Sequence, residues 1–268
     1  MHRAVCSAMR TVLLHFAFAL APLSTLAVSD SPALRIVSAA FLFVSVFAFV
    51  HDAMHRSLGL PRWANELVLS LGGALMGVSG AAARSLHLVH HARPGAEDDL
   101  EGQALRMTFG NALLVSPLTY LLMPFRAARR ARSEQRRRQV VEWLLVVGFL
   151  GPALASGGAQ RTYALVSLVA NMSLQVWGSY LPHRAPPAAL ALARAIAWTR
   201  APLVVSFAFH DLHHRRADLS CFDLVRRAET GEKWQAPAPL VIRATPRRRA
   251  RPAEFADGRS IRQPGHGK

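Results

Sequence analysis

The stretch LRIVSAAFLFVSVFAFVHDAMH, residues 34–55, decides how this chain is read. Its first part, Leu34–Val50, is an apolar run close to the roughly 17–25 residues that cross a bilayer as a helix. Its end carries His51 and His55 at i and i+4, one above the other on a helix face. Histidine is the commonest transition-metal ligand, through the neutral imidazole nitrogen. Nine of the chain's twelve histidines fall into four such sites beside apolar stretches, and together they predict a metal centre held against a membrane.

The flanking sequence supports the membrane half of that expectation. Thr11–Val28 is a second apolar run, preceded by Arg3 and Arg10 and joined to Leu34–Val50 by the turn Ser29-Asp30-Ser31-Pro32. A basic segment before an apolar core also describes a secretory signal, but no small-x-small cleavage site follows here, so a helical hairpin is expected. The whole chain is 51% hydrophobic and 18% charged, with a mean hydropathy of +0.20. Its net charge of +16, from 32 Lys+Arg against 16 Asp+Glu, would suggest nucleic-acid binding in a soluble protein. Here the positive charge lies between and after the apolar runs, as in cytoplasmic loops of membrane proteins, and nucleic acid is not expected as a partner. Cys6 and Cys221 lie far apart without a CxxC pattern and are expected to be free thiols.

Further along, Trp63–Ala83 is apolar and rich in small residues (Gly72, Gly73, Gly77, Gly80), which permit close helix packing. Two crossings return the chain to its starting side at His51, and the next histidines, His87-Leu-Val-His90-His91, must reach that same side to share a centre. Trp63–Ala83 is therefore expected not to cross, and neither is Asn111–Phe125, which carries Pro117 and Pro124. Arg126–Arg138, with seven arginines and one glutamate, is expected to be cytoplasmic. Val140–Ala155 and Tyr163–Leu181 form a second hairpin that ends at His183. Leu190–Phe209, interrupted by Arg194, Arg200 and Pro202, reads as interfacial, because arginines are costly at mid-membrane. It leads into His210-Asp-Leu-His213-His214.

The fold class expected is all-α: an integral membrane protein with two transmembrane hairpins, about four spanning helices, interfacial helices and a cytoplasmic histidine-lined metal site. Residues 1–228 form the membrane domain, and residues 229–268, Pro/Arg-rich, a disordered basic cytoplasmic tail.

Nine histidines are the candidate ligands: His51, His55, His87, His90, His91, His183, His210, His213 and His214. His2, His15 and His266 are set aside as structural. One helix supplies only two or three ligands, so repeated pairs and trios suit a polynuclear site. Nine imidazoles overfill a single zinc, which takes three protein ligands plus water in catalytic sites. Two irons with four or five imidazoles each fit the count better. Asp52, Asp98, Asp99 and Asp211 lie beside these motifs. Of these, Asp52 and Asp211 are expected to accept the outward N–H of bound imidazoles and orient them.

HDAMH, HLVHH and HDLHH, laid out between hydrophobic hairpins from about His51 to Phe222, resemble the three histidine boxes of the membrane fatty acid desaturase superfamily. Within it, HDAMH, His90-His91-Ala-Arg-Pro-Gly-Ala-Glu-Asp-Asp and Gln175-Val-Trp-Gly-Ser-Tyr-Leu-Pro-His183-Arg184 look like stretches of bacterial carotenoid ketolases. In those enzymes the histidine after Leu-Pro is an additional iron ligand. Arg93 and Val205/Ser206 stand where the ketolases usually carry further histidines, and Arg215–Asp223 replaces a Pro- and Trp-rich stretch. The resemblance implies a di-iron centre, O2 as co-substrate and attack on a C–H bond of a long apolar lipid or carotenoid drawn from the bilayer, by desaturation, hydroxylation or ketolation.

No flavin- or nicotinamide-binding signature and no fused cytochrome or ferredoxin motif is present, so electrons are expected from a separate donor such as a ferredoxin, with the arginine-rich face available for docking. The location implied is a bacterial-type inner or plasma membrane with the histidine face and both termini cytoplasmic. Two other classes compete on the residues alone: a bis-histidine haem membrane protein, and a metal transporter, which would need ligands at membrane depth.

Overall fold

The computed structural model describes the backbone of residues 2–229 and the side chains of residues 8–228. The tail expected beyond residue 229 lies outside the described residues. Every regular element among the described residues is helical.

Helices α1 (His2–Val28) and α2 (Pro32–His55) form the first hairpin. Ser31 caps α2 by accepting from the Leu34 N–H at 3.4 Å, with Pro32 pre-set for the first helical turn. The helix continues past the apolar run to His55, so the two histidines lie on its last turns rather than in a loop. Leu20, Phe41, Leu144 and Val147 are each more than half exposed. Side chains of this kind facing outward in rows are what a lipid-facing surface requires. Three helices are long and apolar enough to cross a membrane: Ala8–Val28 of α1, α2, and α6 (Ser133–Ala155); the number rises to four if a bent pair counts as one span.

That bent pair is α3 (Arg62–Met76) and α4 (Gly80–Ala92), which meet at 99°. The sequence reading took Trp63–Ala83 as one piece; the chain breaks it in the middle and turns back. Gly77 adopts φ 82°, a left-handed conformation that glycine reaches without steric cost. A Cβ on Gly80 would stand 2.0 Å from the Leu69 carbonyl oxygen, so only glycine lets α4 leave α3 this closely. Gly72 plays the packing part foreseen for it, with Val50 of α2 against its backbone.

A bend frees backbone groups that a buried environment must satisfy. Tyr120 donates its hydroxyl to the Gly77 carbonyl at 2.8 Å, and Asn171 donates to the Met76 carbonyl at 2.5 Å. On the other side of the break, the buried Glu142 of α6 accepts from the Ala81 N–H at 2.8 Å and from the Ser79 hydroxyl at 2.6 Å. A carboxylate at the N-terminus of α4 also complements its dipole.

Helix α5 spans Phe109–Arg130 without interruption at Pro117 or Pro124, which extends the short apolar piece expected there to 22 residues. Only Ala131 and Arg132 separate it from α6, so the arginine run is mostly helical. Arg138, at its end, is not a solvated topology charge: its guanidinium donates to Glu142 at 2.8 Å and to Ser70 at 3.0 Å, and it also pairs with Glu66. Glu66 in turn takes Arg84 at 2.8 Å and Arg56 at 3.3 Å.

The second hairpin pairs α6 with α7 (Gly158–Met172), after which the helix widens into a π-helical segment, Gln175–Tyr180, and closes as α8 (Leu181–Arg184). Tyr163–Leu181 is therefore not one regular span. The stretch expected to be interfacial is broken into α9 (Pro187–Ala195), a 3₁₀ turn at Ala197–Thr199 and α10 (Pro202–Ala208). Short helices α11 (His210–Arg215) and α12 (Cys221–Glu229) complete the described chain.

The bend yields a prediction. Gly80→Ala should destabilise the protein by about 1–3 kcal/mol, the usual cost of forcing a methyl group into a packed site. Gly110→Ala, with open space around its Cβ position, should leave stability unchanged. Thermal denaturation in detergent distinguishes the two.

Candidate metal centre

Helical spacing brings each histidine motif to one end of its element, and the bend returns α4 to the end of α2. The nine histidines meet there in two groups. His51, His55, His87, His91 and His213 form one; His90, His183, His210 and His214 form the other. Within each group the ligating nitrogens all lie within 4.8 Å of one another.

The two HxxHH trios are divided between the groups in opposite ways. On α4, His87 and His91 face the first group while His90 faces the second. On α11, His210 and His214 face the second group and His213 the first. Residues at i and i+4 share a face and the one between them is rotated off it, so a trio on a single helix can serve two neighbouring ions.

The nitrogens converge through Nε2: His55 and His87 at 2.8 Å, His91 and His213 at 3.1 Å, His90 and His183 at 3.1 Å, His183 and His210 at 2.9 Å. Neutral imidazoles offer one N–H and one lone pair each, so inward-facing nitrogens cannot all satisfy one another. Two nitrogens about 2.1 Å from a common ion, at right angles, stand about 3 Å apart, which is the spacing observed. The donor set fits a metal pair.

Carboxylates hold two of these rings from behind. His90 Nδ1 lies 2.8 Å from Asp99, and His87 Nδ1 lies 2.9 Å from Glu101. An N–H fixed at Nδ1 leaves the Nε2 lone pair facing the centre. Asp99 is fully buried and also accepts from the Gly95 and Gly102 N–H groups, both at 2.8 Å. Burial disfavours its charge, but the hydrogen bonds from His90 and from these two glycines outweigh burial and hold the carboxyl below its usual range. Burial instead pushes Glu101 up to about 7. Gly102 makes the arrangement possible, because a Cβ there would be 2.1 Å from Asp99 and 2.7 Å from His90 Nδ1.

His183 depends on the π-helical segment. Gln175 donates to the Leu100 carbonyl at 3.1 Å, and Arg184 donates to the Met107 carbonyl at 3.2 Å while lying 5.3 Å from the Tyr180 ring. These contacts tie the strand of chain carrying His183 to the loop that carries Asp99 and Glu101.

The two carboxylates expected to orient the imidazoles are placed elsewhere. Asp52 accepts from His15 at 3.0 Å and from the Cys221 N–H at 3.1 Å, on the side of α2 turned toward α1 and α12. Successive helical residues point about 100° apart, so Asp52 cannot follow His51 into the centre. Asp211 faces Arg215 and Arg194, and burial pushes its carboxyl up against their charges. Asp98 pairs with Arg93 at 2.7 Å on the surface. Asp99 was among the acidic residues noted beside the motifs, whereas Glu101 was missed. The run Glu97-Asp-Asp-Leu-Glu101 signalled that carboxylates were near, and only the loop's path selected two of them.

A cavity opens beside the histidines, walled by Phe47, Trp177, Leu203 and Phe207 and reaching His51 and His213. Its apolar wall and its imidazole floor suit an apolar molecule held against a metal centre.

Asp99→Ala should lower metal affinity about 10–100-fold, the usual effect of losing a carboxylate behind a ligating histidine. Asp98→Ala should leave it unchanged. Competition with a chelator, followed by metal analysis, reads both.

The family model described as fatty acid desaturase matches residues 31–243, a segment that contains all nine histidines. Neither the curated proteins nor the solved structures contain a match to the chain. With apolar membrane-length helices and histidine groups able to bind metal, this chain belongs to the fatty acid desaturase family.

Proposed function

We propose that this desaturase-family oxidoreductase holds two iron ions, uses O2, and oxidises C–H bonds of a long apolar lipid. The observation that carries the reading is the grouping of imidazoles, five and four, beside an apolar cavity. His51, His55, His87, His91 and His213 are proposed to hold one ion; His90, His183, His210 and His214 the other. Bound iron supplies O2 activation and hydrogen removal from an unactivated carbon, with electrons delivered by a separate donor.

The chain's own residues supply the surroundings. Asp99 and Glu101 keep protons on the Nδ1 atoms of His90 and His87, which presents both rings in their ligating form. Phe47, Trp177, Leu203 and Phe207 bind an apolar chain and exclude water from the floor of the cavity. The proposed ligand groups lie at the ends of α2, α4 and α8 rather than in mid-span, which disfavours a transporter path through the bilayer. Haem would use two axial histidines and leave the rest without a role.

Within the family, the stretch from Gln175 to Arg184 supports a carotenoid ketolase-like reaction. We place the histidine face and the arginine-rich α5–α6 turn on the cytoplasmic side of a bacterial-type membrane, facing an acidic ferredoxin-like donor.

Two experiments test this. His213→Ala should abolish bound iron and activity with membrane insertion intact; iron retained at wild-type stoichiometry contradicts the ligand assignment. Expression in a β-carotene-producing host should yield ketone-bearing pigment. New double bonds in membrane lipids, with pigment unchanged, would assign the chain to acyl-lipid desaturation instead.

A further inference from the structure

Distinct from the nine histidines, though Asp52 and Cys221 also border the cavity that reaches His51 and His213, a second set of ligating atoms is buried where α1, α2 and α12 meet. His15, Asp52 and Cys221 are each no more than 3% exposed. Their ligating atoms all lie within 4.8 Å of one another: His15 Nε2 is 3.0 Å from Asp52 Oδ2 and 4.0 Å from Cys221 Sγ. These are the separations of atoms sharing one ion, since zinc–nitrogen and zinc–oxygen bonds are about 2.0–2.2 Å and zinc–sulfur bonds about 2.3 Å.

The surroundings on the His15 side are apolar. The His15 ring packs 4.9 Å from that of Phe49 and 4.8 Å from that of Phe222. A carboxylate in such a place needs compensation, because an unpaired buried charge is expensive. A dication bound by one carboxylate, one thiolate and one neutral imidazole is electrically neutral as a set. Mixed nitrogen, oxygen and sulfur donors suit zinc, which accepts all three. The cysteine carries no CxxC signature, so spacing along the chain does not reveal this set; three distant segments assemble it.

We propose that His15, Asp52 and Cys221 bind a divalent transition metal, zinc in kind, separate from the histidine centre. Binding releases the thiol proton to solvent, moves the His15 N–H from Nε2 to the unpartnered Nδ1 so that Nε2 can ligate, and leaves the Asp52 carboxylate also accepting the Cys221 N–H, as it does here at 3.1 Å. The ion would join α1 to the last turns of α2 and to the start of α12. Because α12 follows α11 closely, it would set the position of His210, His213 and His214 relative to His51.

Cobalt(II) is the probe. A thiolate bound to cobalt gives a sulfur-to-metal charge-transfer band in the near ultraviolet, and the histidine centre contains no sulfur. Full-length protein in detergent, exchanged with cobalt(II), should show this band. The band should persist in Cys6→Ser and in His213→Ala, and disappear in Cys221→Ser together with one bound ion per chain. Absence of the band from the cobalt-loaded wild-type protein, or its survival in Cys221→Ser, overturns the proposal and leaves the trio a hydrogen-bonded pin. Because His213→Ala removes a histidine-centre ligand and not the thiolate, failure of the oxidoreductase reading and failure of this one give different spectra.

Discussion

The sharp turn between α3 and α4 is the feature on which the rest of the structure depends. Without it, His87, His90 and His91 would be carried away from the end of α2 rather than back to it. Such a turn leaves carbonyls and N–H groups without helical partners, and lipid offers them none. Tyr120 and Asn171 take the carbonyls of Gly77 and Met76, and Glu142 takes the N–H of Ala81. These side chains come from α5, α7 and α6, so the second half of the bundle stabilises a bend made in the first. The histidine groups thus depend on polar contacts between helices that carry no proposed ligand and the bend itself.

The charged residues divide into two populations under the same constraint. Arg138 sits in the run that the positive-inside bias would assign to topology, yet it is bonded to Glu142, Ser70 and Glu66. A guanidinium with several donors in a fixed fork is suited to joining two carboxylates and a hydroxyl at once. It thereby holds the Glu142 carboxylate at the start of α4. At least one member of the arginine run therefore supports the bend from inside the protein.

Around the histidines, carboxylates act according to where their backbone lies rather than how near they are in sequence to a motif. Asp52 is the immediate neighbour of His51 and, about 100° further round the helix, bonds to His15 and the Cys221 N–H instead of to a ring of the centre. Asp99 and Glu101 stand nine and fourteen residues from the rings they hold, on a loop that glycine allows to close tightly. The outcome is a carboxylate facing the Nδ1 of His90 and of His87, which no local pattern announces.

Residue spacing alone was enough to show that a helix of membrane length ends in imidazoles at i and i+4, because apolar run length and helical periodicity are local properties. It also showed that the clustered histidines are more than one ion could use. Only the tertiary structure decided that each trio is split between two groups, that Asp99 and Glu101 rather than Asp52 and Asp211 stand behind the rings, and that His15, set aside as structural, meets Asp52 and Cys221. Those outcomes depend on the angle between α3 and α4, the path of the loop from Arg93 to Gly102 and the packing of α12 on α1 and α2. Each is a contact between segments far apart in the chain, set by which buried polar groups find partners, and residue spacing carries no record of it.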